Sequence, residues 1–321
     1  MNQWEDIYQI SLPLPFALRM INAYVIKGST GITLIDAGLN IEMDVRAWQE
    51  AQAAGGWQWA EVEKIVLTHY HPDHYGLAGT LQQWTGAPVY LSRTDHEQAQ
   101  MFFGRDSQMP EEMMSFFARH GLPDEWATQI PDHMRSFHPW VEPHPKASWL
   151  EPGDWIRLGD VDYEVLHTPG HADGHLSFYD PKRKWLIGGD FLLPKITPNI
   201  SLWPNCHPNP LDNYLVTLER MKEREVTKVF PSHGPMFDHY NERIEALERH
   251  HAQRLNEMRS FVVDKRRATA FEVCEHQFGT DHTIHNLRFA LSETLAHLEY
   301  LRLRGELSVE ERNGMVYYKE I

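Results

Sequence analysis

The sequence predicts an α/β protein, and two recurring patterns in its 321 residues support that class. Short apolar runs that end at turns rich in Gly and Pro occur at residues 65–67, 163–166, 184–187 and 228–230. Apolar residues at helical spacing occupy residues 95–119 and recur after residue 240. Short runs bounded by turn residues are typical of strands, and a period of about 3.6 is typical of amphipathic helices. Sheets and helices are therefore both expected.

The strand at residues 65–67 leads into the most informative segment of the chain, which contains His69, His71, Asp73 and His74. Successive side chains on a strand point to opposite faces, so a cluster this tight is expected on the loop that leaves the strand. Imidazoles together with a carboxylate suit zinc, manganese or iron. The alternative is a solvated polar loop, which chance would seldom build from these residues. The segment therefore predicts a metal site.

Each of the three later strands also ends at a turn that carries one residue of a metal-ligating type. His171 follows the strand at 163–166, Asp190 follows the strand at 184–187, and His233 follows the strand at 228–230. Each signal is weak alone, but all three repeat the layout of the first cluster. Residues 69–74 cannot surround a metal by themselves, so these strand ends are expected to supply the remaining ligands.

Taken in order, these motifs resemble those of the metallo-β-lactamase superfamily over roughly residues 7–240. The superfamily's early Asp is matched by Asp36, at the end of an apolar run. Its HxHxDH motif and its later His, Asp and His are matched by His69, His71, Asp73, His74, His171, Asp190 and His233. The resemblance implies a four-layer αββα sandwich with a pair of metal ions where the two sheets meet.

The same resemblance implies roles for these residues. His69, His71 and His171 would hold one divalent ion, Asp73, His74 and His233 would hold the second, and Asp190 would bridge both. Asp36 would orient the His ligands through hydrogen bonds without binding metal itself. Zinc is the expected metal, with manganese or iron as alternatives.

Two such ions predict metal-assisted hydrolysis, with a hydroxide bridging the ions as the nucleophile and Asp73 or Asp190 carrying a proton to the leaving group. The sequence contains no Gly-x-Ser-x-Gly motif and no phosphate-binding Gly-rich loop. The complete HxHxDH pattern is similar to that of glyoxalase II-like thioesterases, lactonases, nucleases and phosphodiesterases, which disfavours β-lactam hydrolysis. A small ester-like substrate, either a thioester or a lactone, is therefore expected.

Residues 93–149 are rich in Met and aromatic side chains, among them Phe102, Met113 and Phe116. The superfamily core needs far fewer residues here, so the segment predicts a largely helical insertion near the metals. Most of these side chains are expected to pack the insertion onto the core. Because Met-rich surfaces adapt to varied apolar ligands, a substrate lid is the alternative.

Residues 241–321 predict a second, smaller domain after a catalytic domain at 1–240. Helices are expected at 241–265, 269–278 and 286–304, and a hairpin around Asn313-Gly314. This order resembles a winged-helix module. The segment contains 12 Lys and Arg against 14 Asp and Glu, with one basic cluster at Lys265-Arg266-Arg267. Since nucleic-acid binding depends on basic patches, packing or dimerisation is the preferred role.

Composition favours a cytoplasmic enzyme. The net charge is −15, only two Cys are present, and neither a signal peptide nor an apolar stretch of membrane-spanning length is evident. A small-molecule substrate is expected, with no nucleic-acid or membrane partner and with a homodimer as an open option. Two alternatives remain: a single-strand endoribonuclease or phosphodiesterase, favoured by the winged helix, and a non-catalytic metal-dependent sensor, disfavoured by the complete ligand set.

Overall fold

The computed structural model describes residues 2–16 and 18–321, and these divide into two compact units. The first unit comprises the described residues of Met1–Gly104, Phe137–Pro198 and Arg224–Arg243. The second comprises Arg105–Ser136, Asn199–Glu223 and Ile244–Ile321. Both units are therefore assembled from separate stretches of the chain.

Two sheets form the first unit, and their strands follow sequence order. The larger sheet has seven strands: β1 (Asn2–Trp4), β2 (Ile7–Pro13), β3 (Met20–Lys27), β4 (Ile32–Ile35), β5 (Val62–Val66), β6 (Val89–Leu91) and β7 (Ala147–Trp149). The smaller sheet has five: β8 (Trp155–Leu158), β9 (Val161–His167), β10 (Leu176–Asp180), β11 (Trp185–Gly189) and β12 (Lys228–Pro231). Strands β4 to β7 run parallel, as do β11 and β12.

The helices are numbered along the chain: α1 (Glu42–Gly55), α2 (Pro72–Tyr75), α3 (Ala78–Thr85), α4 (Arg93–Phe103), α5 (Met109–Arg119), α6 (Asp124–Ala127), α7 (Ile130–Arg135), α8 (His138–Val141), α9 (Pro210–Met221), α10 (Tyr240–Lys265), α11 (Ala270–Phe278) and α12 (Ile284–Leu303). A short 3₁₀ helix spans Trp59–Glu61. In the first unit, α1 packs against β2 and α3 packs against β5. The predicted α/β class is confirmed.

The two sheets of the first unit stack face to face around an apolar core. The buried side chains of this core include Ile7, Tyr24, Ile35 and Val66 from the larger sheet and Tyr163, Val165, Phe178 and Phe230 from the smaller sheet. Alternating strand side chains supply both faces, and burial of apolar area drives the stacking. The motif residues predicted at strand ends therefore lie at one edge of the sandwich.

The segment predicted as one helical insertion, residues 93–149, is divided between the two units. The helical spacing over 95–119 belongs to two helices, α4 and α5, which Gly104 and the following turn separate. Gly104 takes an extended conformation at the end of α4, and Pro110 lies in the first turn of α5, where its fixed φ is favourable. Helix α4 belongs to the first unit and α5 to the second.

The C-terminal elements appear in the predicted order. Helices α10, α11 and α12 are followed by the hairpin of β14 (Ser308–Arg312) and β15 (Met315–Lys319). A short strand that the sequence patterns did not predict, β13 (Arg267–Ala268), pairs with β15 and completes a three-stranded sheet. The winged-helix assignment and the domain boundary near residue 240 remain predictions.

Across residues 2–16 and 18–321, the helices lack the combination of length and apolar character that crossing a bilayer would require.

Candidate metal centre

The seven predicted ligands come together in the first unit, at the ends of β5, β9, β11 and β12. The HxHxDH segment is not entirely a loop. His69 and His71 lie on the connection after β5, whereas Asp73 and His74 lie on the short helix α2, which Pro72 begins. Proline is favourable at the first helical position, because no intrahelical hydrogen bond is lost there and its φ already suits a helix. Pro72 therefore lets α2 begin directly after His71.

Three imidazoles form the first group of candidate ligands. The His71 Nδ1 atom lies 3.0 Å from His69 Nε2 and 2.8 Å from His171 Nε2. His69 and His171 are buried and His71 is partly buried. Three ring nitrogens that converge in this way match the nitrogen ligand sets that bind zinc.

A second group combines Asp73, His74 and His233. The Asp73 Oδ2 atom lies 3.4 Å from His233 Nε2 and 3.8 Å from His74 Nε2. Two imidazoles and a carboxylate form a donor set suited to a divalent transition metal.

Asp190 lies between the two groups. Its Oδ2 atom is 3.3 Å from His171 Nε2 and 3.5 Å from His233 Nε2, and its Oδ1 atom is 3.6 Å from His74 Nε2. Asp190 thus reaches one ring of the first group and both rings of the second. This is the position that a bridging ligand would need.

Asp36 bonds the side of the His74 ring that faces away from the other candidate ligands. Its carboxylate accepts hydrogen bonds from His74 Nδ1, 2.8 Å away, and from the Thr68 backbone N–H and hydroxyl, 2.8 and 2.9 Å away. Asp36 has a φ of 57°, in the left-handed region that Asp tolerates better than most residues. The hydrogen bond to Asp36 fixes the N–H of His74 on Nδ1 and leaves Nε2 facing the other ligands.

Two further rings are fixed in the same way. The hydroxyl of Thr68 donates to Asp36, so it accepts from His69 Nδ1 at 3.0 Å. His233 Nδ1 donates to the Met20 backbone carbonyl at 2.9 Å. In both rings, Nε2 therefore faces the candidate metal centre.

Two buried polar atoms test whether a cation fits here. Within the described residues, His74 Nε2 and Asp190 Oδ1 are buried and make no hydrogen bond, although they lie 3.6 Å apart. Buried polar atoms without a partner are costly, and both of these face the same space. A metal ion would bind both atoms, so the donor set fits a divalent cation.

The electrostatics of the centre also suit metal binding. Burial, followed by the neighbouring histidines, holds the pKa of His69 and of His71 well below its usual range, so both rings are neutral. Burial opposes ionisation of Asp73, but His74 and His233 bring its pKa down to about 2. Burial opposes the charged forms of His74 and His233, but the carboxylates beside them raise the pKa of His74 well above its usual range and that of His233 to about 10. Metals bind neutral imidazoles and ionised carboxylates, so a bound cation would displace the protons of these two rings.

His175 and His167 flank His171 but contribute to neither group. The fully buried His175 accepts a hydrogen bond from the Asp190 backbone N–H through Nε2, at 3.1 Å, and its Nδ1 contacts Thr168 Oγ1 at 2.8 Å. His175 therefore supports the backbone of Asp190. His167 Nε2 bonds the Asp173 carbonyl.

The sequence patterns did not single out Thr68 or the Met20 carbonyl. Threonine directly before the first His is a local signal that could have been used, because its hydroxyl reaches both Asp36 and His69. The Met20 carbonyl carries no signal in the sequence, because any residue would supply the same backbone oxygen.

Comparison with known proteins assigns both parts of the chain. Residues 17–233 match the family model of the metallo-beta-lactamase superfamily. Residues 255–321 match the model described as the metallo-beta-lactamase-like C-terminal domain.

Two similar proteins cover nearly the whole chain. The chain is 29% identical to the probable metallo-hydrolase YqjP of Bacillus subtilis, over 98% of each sequence. The crystal structure of a metallo-beta-lactamase family protein from Thermus thermophilus superposes with a TM-score of 0.87 at 30% identity, over 99% of each chain. The chain is also 28% identical to the human acyl-coenzyme A thioesterase MBLAC2, over 67% of this chain and 74% of that protein. The chain belongs to the metallo-beta-lactamase superfamily and is a metal-dependent hydrolase.

Proposed function

We propose that this protein hydrolyses a small thioester with two divalent metal ions, zinc in the first instance. The observation that carries the proposal is the pair of ligand groups joined through the Asp190 carboxylate. The first ion would be held by His69, His71 and His171, the second by Asp73, His74 and His233, and both by Asp190. When bound, such ions polarise the attacked carbonyl and make a water molecule nucleophilic at neutral pH.

Residues of the chain then position the reaction and move its proton. The side chain of Asp73 is 19% exposed against 8% for Asp190, so Asp73 is the more open carboxylate. The water oxygen bonds to the carbonyl carbon, and the carboxylate of Asp73 takes its proton. As the C–S bond breaks, Asp73 returns that proton to the sulfur, and the leaving group departs as a thiol.

The thioester preference is supported by similarity to a named acyl-coenzyme A thioesterase. Charge separately disfavours the endoribonuclease alternative, because a chain with a net charge of −15 does not attract long polyanions such as RNA. A lactone is the second substrate class, since it offers the same carbonyl carbon but an oxygen leaving group.

The test is a substrate panel assayed with zinc-loaded protein. Acyl-coenzyme A and acylglutathione thioesters are compared with lactones, bis(p-nitrophenyl) phosphate and single-stranded RNA. We expect kcat/KM for one thioester to exceed every other class by at least about tenfold, or ~1.4 kcal/mol of activation free energy. His233→Asn should abolish the activity, whereas His239→Asn, at an exposed position in the same connection, should retain it. A preference for the phosphodiester or for RNA would contradict the proposal.

A further inference from the structure

One buried carboxylate, that of Asp95, joins two loops that carry candidate ligands. Asp95 is completely buried in the first turn of α4. Its Oδ2 atom accepts a hydrogen bond from the Tyr70 backbone N–H at 3.2 Å, and its Oδ1 atom accepts from the Gly174 backbone N–H at 2.8 Å. Tyr70 stands between His69 and His71, so the first bond holds the loop of those two rings.

The second bond holds the loop of the third ring. Gly174 lies three residues after His171 and directly before His175, which supports the Asp190 backbone. The loops of Tyr70 and Gly174 leave different sheets, β5 in the larger sheet and β9 in the smaller. Asp95 therefore links loops from the two sheets by hydrogen bonds, at the edge where the ligands meet.

Helix capping alone does not explain Asp95. The N-cap of α4 is Ser92, whose hydroxyl accepts from the Asp95 backbone N–H at 3.1 Å. An acidic side chain in the first turn commonly bonds back to its own helix, but this carboxylate bonds to two other segments. Burial raises the pKa of Asp95 to about 8, whereas the hydrogen bonds from Gly174 and Tyr70 favour the ionised carboxylate.

Gly174 packs so closely against α4 that a side chain would not fit at this position. A Cβ atom at Gly174 would lie 2.2 Å from Ser92 Oγ and 2.6 Å from Asp95 Oδ1. Real Cβ atoms do not approach other atoms so closely, so any side chain here would push the His171 loop away from α4.

We propose that Asp95 is a positioning residue of the metal centre, whose carboxylate holds the two loops at the separation where His69, His71 and His171 converge. This inference rests on the proposed metal site. It adds to that site a residue that touches neither metal nor substrate and acts through two backbone N–H groups.

The test measures zinc affinity by chelator competition and the visible spectrum of the Co²⁺-loaded protein. Asp95→Ala should lower zinc affinity by about 10- to 100-fold, as loss of groups that orient ligands typically does, and should change the Co²⁺ spectrum. Asp95→Asn should lose less zinc affinity than Asp95→Ala, because the amide oxygen still accepts from one backbone N–H, although the NH₂ group then faces the other N–H. The matched control is Asp180→Asn. Asp180 is also a completely buried Asp whose side chain accepts from two backbone N–H groups, those of Lys182 and Arg183, but it lies at the end of β10 that is remote from the ligand loops.

The control variant should lower Tm without changing zinc affinity. If Asp95→Ala and Asp95→Asn bind zinc as tightly as Asp180→Asn, with the wild-type Co²⁺ spectrum, Asp95 has only a structural role and the inference is wrong. Gly174→Ala acts on the same contact from the other loop and should weaken zinc binding even if Asp95→Ala does not fold. Wild-type protein that binds no zinc would instead refute the proposed function itself.

Discussion

At the scale of residues, the centre depends on which nitrogen of each histidine faces inward. His69 bonds Thr68, His74 bonds Asp36 and His233 bonds the Met20 carbonyl, so one N–H of each ring is already engaged. The opposite nitrogen of each ring therefore already faces the cluster in the absence of a metal. Orientation of this kind lowers the conformational cost of binding a cation.

The proposed bridging role of Asp190 gives a sharp prediction. Asp190→Ala should reduce the occupancy of both metal sites and abolish hydrolysis, because each ion would lose a ligand. His171→Ala, by comparison, should weaken one site more than the other. Elemental analysis and chelator titration of both variants measure these effects. One ion retained at wild-type affinity in Asp190→Ala would show that Asp190 does not bridge.

At the scale of elements, the second unit contains a histidine pair between α10 and α12. His297 Nδ1 donates to the Glu293 carbonyl at 2.8 Å, so His297 Nε2 accepts from His251 Nδ1 at 3.1 Å. Both rings are buried, and Arg254 and His250 also lie close enough to oppose their protonation. Burial, with neighbouring positive groups, lowers the pKa of His251 to about 2 and that of His297 to about 3.

This pair predicts acid sensitivity. In the unfolded chain the two imidazoles take up protons near pH 6.5, whereas in the folded unit they stay neutral. Stability from the pair is therefore fully present above pH 6.5 and declines as pH falls, by about 1.4 kcal/mol per pH unit for each ring. His251→Asn keeps a donor for His297 and should remove the contribution of one ring, about 2.3 kcal/mol between pH 6.5 and 4.5, because the unfolded ring is already half protonated at pH 6.5. Urea unfolding across this range measures the slope, and a wild-type slope in the variant would contradict the prediction.

At the scale of the whole molecule, the charge balance bears on the endoribonuclease alternative. The net charge is −15, and residues 241–321 carry more acidic than basic side chains. The basic cluster Lys265-Arg266-Arg267 is exposed, but Lys265 and Arg267 lie over the rings of Phe261 and Tyr317. The cluster therefore packs partly on its own unit.

The same charge balance predicts weak binding to RNA. Affinity for single-stranded RNA should vanish between about 50 and 200 mM salt, as expected of few phosphate contacts. Replacing Lys265, Arg266 and Arg267 by Glu should leave thioester hydrolysis unchanged, and fluorescence anisotropy with parallel activity assays measures both quantities. A steep and selective loss of RNA cleavage in this variant would instead favour the endoribonuclease alternative.

The sequence by itself determined the family and the residue types of the centre. The spacing in HxHxDH, and the single ligand-type residue after each later strand, are local features that can be read without knowledge of the fold. The helices and hairpin after residue 240 were predictable for the same reason, because their apolar periodicity and the Asn313-Gly314 turn are local. The observed boundaries of these elements differ from the predicted ones by only a few residues.

Tertiary structure alone decided how those residues are supported. Asp95 and the Met20 carbonyl reach the centre from positions distant in sequence, and no pattern marks them as neighbours of Tyr70, Gly174 or His233. Residues 93–149 show the same limit, because apolar spacing reports that a helix is buried but not what it is buried against. Side-chain type is a property of the chain itself, whereas hydrogen bonds between distant segments exist only after the sheets have stacked.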